Sequence, residues 1–551
     1  MRYRYSCLLV AWLGICGGIS AQPTVSLPAL NSAVARGQGL PGSGVAQGSI
    51  FSIYGSGLGP AAWIEANQFP LPTSLGGTSV MVTVQGTSVP GIILGADSTQ
   101  VNALLPSNTP IGSGTFTVTY NNQTSAPAAI NVVASAFGIY TFNEQGFGQA
   151  IATDANYNVN TIIHVFHPND YVVLWGTGLG AISGSDATAP PVGNLPTQVT
   201  VYVGNTTASV SYQGRSGCCS GLDQIIFQVP AGVTGCYVPV SVETGGVSGN
   251  IGNFATIAVA DSGDTCTDSV MGTDLVNQLA AGQNVSFGYI RLFDRTLAIE
   301  NNSAVQTAAA DYAFASFSQY TPATAGLAQY GVSNGYCAAV DCTYACGNVM
   351  GHTADLGDAS PAQLDAGNLT SQFAPVTALT QYSPPGGFYS SFFAGYRYLW
   401  ASENYPVTGS GGAAIGPFSV FDVTRSNIDV TLGFTNINVL QTLPRGSDLV
   451  LQWTGGDSAL QNGNVTIAAW SYSQVDGQVG NKGYLLCTAP LSAKTFTIPK
   501  RVLAALPVTG TNSYGMISIG QYNTPTSFTA TGLSRGIITD IFNNGIWVNF
   551  Q

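Results

Sequence analysis

The stretch from Ile50 to Gly59, IFSIYGSGLG, returns 121 residues later as YVVLWGTGLG from Tyr171 to Gly180. Each reads as an apolar strand running into a glycine-rich turn, and two further phrases follow each of them in the same order. Leu71-Pro72-Thr73 returns as Leu195-Pro196-Thr197, and Thr99-Gln100-Val101 with Pro106 returns as Asp223-Gln224-Ile225 with Pro230, both 124 residues on. Three anchors in one order at a near-constant offset mean two copies of one folding unit.

Inside each copy the runs are short, β-branched and bounded by turn residues, Gly86 to Ile93 and Val199 to Tyr212 among them. Each copy also has the length of one immunoglobulin-like sandwich, roughly 100 residues or a little more. The fold class expected is therefore all-β. Sandwiches occupy 25–134 and 135–260, a linker 261–275, and a larger, mostly β C-terminal domain 276–551. In that last region Leu449, Leu451 and Trp453 alternate with Val450 and Gln452, and Phe496 and Ile498 with Thr495 and Thr497, the period of a strand with one buried face. One short helix is expected from Lys500 to Leu506, between Pro499 and Pro507. The glycines of GSGLG and GTGLG supply positive-φ turn positions. They are not a phosphate cradle, because neither run opens an amphipathic helix or carries a lysine.

A strand followed by a G-x-G-L-G turn, with the later Gln100 and Gln224 strands ending at proline, resembles the IPT/TIG immunoglobulin-like domains. As a set, PLPTSLGG, STQVNALLP, VVLWGTGLG and CCSGLDQIIFQVPAG resemble a family of exported, uncharacterised proteins of Acidobacteria, Solibacter in particular, over residues 25 to 260. LDAG at Leu364, WTGGD at Trp453 and FTIPKRVLAALP resemble the C-terminal domain that accompanies such pairs. The resemblance implies fold and export and brings no activity with it.

Residues 1–21 carry Arg2 and Arg4, then an apolar run from Cys7 to Ile15, then Ile19-Ser20-Ala21, the three-part pattern of a secretory signal peptide cleaved after Ala21. No later run reaches 18 apolar residues, so no membrane span is expected and the protein is read as secreted or held at the cell surface. Charged residues make up 7% of the chain, against about 25% ordinarily. Losing two arginines with the signal moves the net charge from −12 to −14, the wrong sign for nucleic-acid phosphates. The partners that remain are an extracellular polysaccharide or a cell-surface protein.

Eight cysteines remain in the exported chain and fall into two groups: Cys218, Cys219, Cys236 and Cys266, then Cys337, Cys342, Cys346 and Cys487. An even number in an oxidising compartment reads as disulfides within each group. A bond between the adjacent Cys218 and Cys219 would close a small strained ring, so each is expected to reach Cys236 or Cys266 instead. Cys337, Cys342, Cys346 and His352 could form a zinc site in principle, but a disulfide-stapled loop is preferred and no metal ligand is assigned.

Chemistry is sparse. His164 and His167 have an H-x-x-H spacing, which on an extended segment points them to opposite faces. His352 with Asp355 and Asp358 is the one place where histidine and carboxylates crowd together. No G-x-S-x-G elbow is present, and no catalytic residue or cofactor is assigned. In FYSSFFAGYRYLW, the rings of Tyr389, Tyr396, Tyr398 and Trp400 are candidate glycan-contact platforms, with a buried strand core as the competing reading. The function expected is a non-enzymatic extracellular role in adhesion, surface structure or glycan contact. The alternative is a carbohydrate-active or other hydrolytic enzyme with its site in the C-terminal domain.

Overall fold

The computed structural model describes residues 22–33, 44–246, 250–301, 304–329, 331–341, 362–371, 377–381, 388–394, 405–422, 431–475, 478–509 and 515–551. The expected signal peptide, with Cys342, Cys346, His352, Asp355, Asp358, Tyr396, Tyr398 and Trp400, lies outside them. Among the described residues no helix is long and apolar enough to cross a membrane.

The chain is almost entirely β. In the strand Ile50–Ser56, Phe51 and Ile53 are fully buried while Ser52 and Tyr54 face the other way. Gln100–Leu104 lies beside it and buries Val101 and Ala103 in the same core. Together with Ile92–Ala96 and Ile64–Glu65 these strands form one sheet. The facing sheet is built on Thr78–Val84, Gly112–Tyr120 and Ala128–Val133, and Val80, Val82, Phe116, Val118, Ile130 and Val132 close the core from that side.

The second copy has the same pairings. Tyr171–Thr177 pairs with Asp223–Gln228 as Ile50–Ser56 pairs with Gln100–Leu104, and Gln224 stands opposite Trp175 as Gln100 stands opposite Tyr54. Both copies carry a bulge at the matching place, where Leu94 and Ser211 drop out of register. They differ in one strand. In the first copy Thr87–Pro90 and Ile92–Ala96 are separate strands in different sheets, whereas in the second Thr206–Arg215 runs unbroken from one layer to the other. Proline 90 and Gly91 interrupt the ladder in the first case, as a residue with no N–H and one with no side chain are expected to do.

Gly57 and Gly178 both take positive φ, 65° and 115°, and deliver Leu58 and Leu179 into the two cores with no exposed surface. Gly178 also lies close to its neighbours: a Cβ there would stand 2.0 Å from the carbonyl oxygen of Ala136.

The stretch 261–275 is fastened at both ends of its path. Cys266 is bonded to Cys236, and a helix beginning at Thr273, Thr273–Ala280, buries Leu275, Val276 and Leu279. Beyond it, a sheet with 15 strands among the described residues is centred on Val285–Asn301, with Ala304–Tyr320 antiparallel on one side and Arg535–Phe550 parallel on the other. Leu449, Leu451 and Trp453 are buried and alternate with exposed Val450 and Gln452, as their spacing predicts. The helix expected from Lys500 to Leu506 is shorter, Lys500–Leu503, because the chain tightens into i→i+3 bonds from Ala505 to Val502 and from Leu506 to Leu503 before Pro507.

Candidate functional site

The hairpin that ends in Gln100 in the first copy is closed by a tight turn, in which the Asp97 carboxylate accepts from the backbone N–H of Thr99 at 2.6 Å and of Gln100 at 2.8 Å. The matching hairpin of the second copy is opened by residues 216–222. This added tip faces the first sandwich: a Cβ on Gly221 would meet Leu104 and Ile50. Below the tip, Arg215 and Asp223 form an ion pair with 1% and 0% of their side chains exposed. Asp223 also accepts from the backbone N–H groups of Gly178 at 2.7 Å and Leu179 at 2.8 Å. Burial pushes its carboxyl above the ordinary value, against the pull of Arg215 and those amides. Arg215 in turn donates to the carbonyl of Gly180 at 2.6 Å and, across the joint, to that of Gly48 at 2.8 Å.

Further hydrogen bonds cross the same joint. Asp186 accepts from the Ser107 backbone N–H at 2.7 Å and from its hydroxyl at 2.9 Å. The Ile50 N–H donates to Thr177 Oγ1 at 2.9 Å, and Asn31 Nδ2 donates to the Ala136 carbonyl at 3.0 Å.

Beside the joint lies a cleft of about 550 Å³. Its floor is the outward face of the first sandwich, where Ser52, Asn102, Gly95 and Glu65 stand directly opposite one another across four neighbouring strands. Asn102 Oδ1 accepts from the Ser52 hydroxyl at 2.8 Å and from Gln100 Nε2 at 2.9 Å. The Trp63 indole donates to Glu65 at 2.7 Å and rests on Gly95, where a Cβ would come within 2.4 Å of the ring. Tyr140 and Glu144 of the second copy line the other side, and the Tyr140 hydroxyl is 2.6 Å from Ser32 Oγ. Burial raises the pKa of that phenol. None of these residues stood out in the sequence as a site: they come from five separated segments, and only Ser52 and Gln100 belong to repeated phrases, where they mark strands and not a cleft.

A second polar cleft, of about 580 Å³, lies between the Cys236–Cys266 end of the second sandwich and the large sheet, and includes Tyr237, Asp268, Tyr289 and Asn523. The Tyr237 hydroxyl donates to Asp268 at 2.5 Å, and burial raises the pKa of this carboxyl too.

Three disulfides are present among the described residues: Cys218–Cys219, Cys236–Cys266 and Cys337–Cys487. The expectation that Cys218 and Cys219 each reach Cys236 or Cys266 is therefore corrected. Residues 216–222 adjoin the start of the strand Asp223–Gln228, while Cys236 lies beyond that strand's far end, so the two pairs sit at opposite ends of the sandwich. Cys337 and Cys487 stand directly opposite in register on neighbouring strands.

His167 is placed beside Asp170, with 3.3 Å between Nδ1 and the carboxylate, and its Nε2 is 2.9 Å from the Gly263 carbonyl oxygen. His164 is exposed, on a turn bridged to Thr161. No group of three or more potential metal ligands occurs among the described residues. Tyr389 lies in the strand Phe388–Ala394, opposite Ala315 and Gln381.

No family model matches the chain, and no curated protein does. Among solved structures it is similar to three titin immunoglobulin domains, I67–I69, at 7% identity and TM-score 0.11, covering 71% of this chain and 96% of that one. It is also similar to domains 5–6 of the S-layer protein SbsC, at 15% identity and TM-score 0.16, covering 44% of this chain and all of that one. Alpha-2-macroglobulin of Escherichia coli in its native conformation matches at 10% identity and TM-score 0.13, over 92% of this chain but 45% of its own length. Similarity of this size carries no activity to the chain, whose immunoglobulin-like, all-β class rests on its own strand pairing.

Proposed function

We propose that the chain is a secreted, non-enzymatic protein of the cell exterior that acts in adhesion, surface structure or glycan contact. The observation that carries this reading is the joint, where a buried ion pair and a set of cross-copy hydrogen bonds fix one sandwich on the other. Such a joint suits a part whose work is to hold an orientation, and an immunoglobulin-like fold implies no chemistry of its own. The disulfides fit an oxidising compartment. In this reading residues 25–134 and 135–260 are paired IPT/TIG-like units of the Acidobacterial export family, and 276–551 is the domain they carry.

Fractionation of the source cells with an antibody to the chain tests the proposal. The protein is expected in the extracellular or surface fraction, beginning after Ala21, and without turnover of polysaccharide or ester substrates. Recovery from the cytosol with free thiols, or hydrolysis by the purified chain, would overturn it.

A further inference from the structure

We propose that the cleft on the first sandwich binds a neutral oligosaccharide, laid across the row Ser52, Asn102 and Glu65 and stacked on Trp63. The proposal deepens the glycan-contact reading above and rests on it. Three features of the cleft carry it together.

The first is the flat apolar ring. Trp63 is 40% exposed, and it is held in place by its hydrogen bond to Glu65 and by its seat on Gly95. Sugar rings offer an apolar face for such a platform, and a platform fixed in advance loses little entropy on binding. The second is the hydrogen-bonding inventory beside it. With Asn102 Oδ1 occupied by Ser52 and Gln100, the Asn102 NH₂ and the Gln100 side-chain oxygen, Oε1, have no hydrogen-bond partner among the described residues. A planar donor and a planar acceptor beside carboxylate oxygens match neighbouring sugar hydroxyls, each of which both donates and accepts. The third is extent. A row across four strands spans about 14 Å at ordinary strand spacing, room for a short saccharide and not a single small ion.

The same features set the ligand's charge. Among the described residues Glu65 and Glu144 border the cleft and no Lys or Arg lines it, so these residues set like charge against a uronate or sulfated chain. A peptide added as a further strand is disfavoured, because the edge strand beside the cleft, Ile64–Glu65, offers only two residues for pairing.

Calorimetric titration of the full chain with cello-, xylo- and laminari-oligosaccharides, and with oligogalacturonate as the charged counterpart, tests the proposal. At least one neutral series is expected to bind and oligogalacturonate is not. Trp63→Ala should weaken binding about ten-fold or more. Gly95→Ala, which displaces the indole without removing it, should weaken binding as well. Tyr171→Ala, an exposed ring on the second copy, should leave it unchanged, with thermal melting showing that all three variants are folded. Binding that survives Trp63→Ala, or a preference for oligogalacturonate, would overturn the proposal. So would failure of every neutral oligosaccharide to bind a protein that is nevertheless found at the cell surface, and that outcome would leave the structural reading standing. Neutral-glycan binding by a protein found in the cytosol would instead support the cleft and overturn the extracellular reading.

Discussion

Asp268 is 3% exposed, and its partners are the Tyr237 hydroxyl and the backbone amides of Val270 and Met271. Burial is the largest influence on it and lifts its pKa above the ordinary 3.8, while those hydrogen bonds pull the other way. The folded protein therefore holds this proton to higher pH than the unfolded chain does. Stability contributed at this site is greatest below 3.8, falls as pH rises from there to the folded value, and is level beyond it. Asp268→Asn keeps an oxygen for the two amides and has no proton to lose, so that slope should vanish from its melting temperature plotted against pH. An unchanged slope would show that the carboxyl does not titrate in this window. Nothing in Asp-Thr-Cys-Thr-Asp-Ser announces such a residue, since burial of a short acid is decided by the partners that surround it and these include Tyr237, distant in sequence.

Among the elements, the repeat was legible because its anchors answer to local physics. A strand that must bury alternate residues and then turn at positive φ has few ways to be written, and Gly57 and Gly178 mark the same step in both copies. The tip at 216–222 was visible as sequence but not as a joint, because a loop has no periodicity to reveal what it packs against. The disulfides show the same divide. Grouping followed from position along the chain, but the connectivity of the first group did not, since it depends on which ends of the strands its cysteines occupy. Their stabilities should differ accordingly. Replacing Cys236 and Cys266 by serine opens a link 30 residues apart and should cost about 3–4 kcal/mol, whereas replacing Cys218 and Cys219 removes a link between neighbours that closes no chain loop and should change stability by well under about 1 kcal/mol. Urea denaturation of the two double variants checks the order. Equal losses would show that stabilisation here is not set by loop closure.

At the scale of the whole molecule, the cleft was not legible at all, because its floor is gathered across four strands and its wall comes from the other copy. The joint that brings them together should be sensitive to a single atom group. Asp223→Ala leaves Arg215 buried without its carboxylate, a change that costs about 3–5 kcal/mol in comparable buried pairs. Calorimetry should show the loss falling on the pair, with the two sandwiches of the variant melting apart, while replacing Arg215 as well should cost less than the sum of the single changes. A variant that melts like the parent would mean the sandwiches are held by other contacts.

That joint is also directional. It sets the hairpin tip of one copy against a different surface of its twin, and a head-to-tail contact between like units can in principle repeat without end, as in a filament. Here it can be made once. The first copy closes its own hairpin with the four-residue turn from Asp97 to Gln100, which has neither the added segment nor an arginine, so that hairpin does not offer the same contact. The divergence of the two hairpins gives the contact a sense: the second copy's tip is the part that docks and the first copy's sheet the part that receives it, so the two copies cannot exchange places.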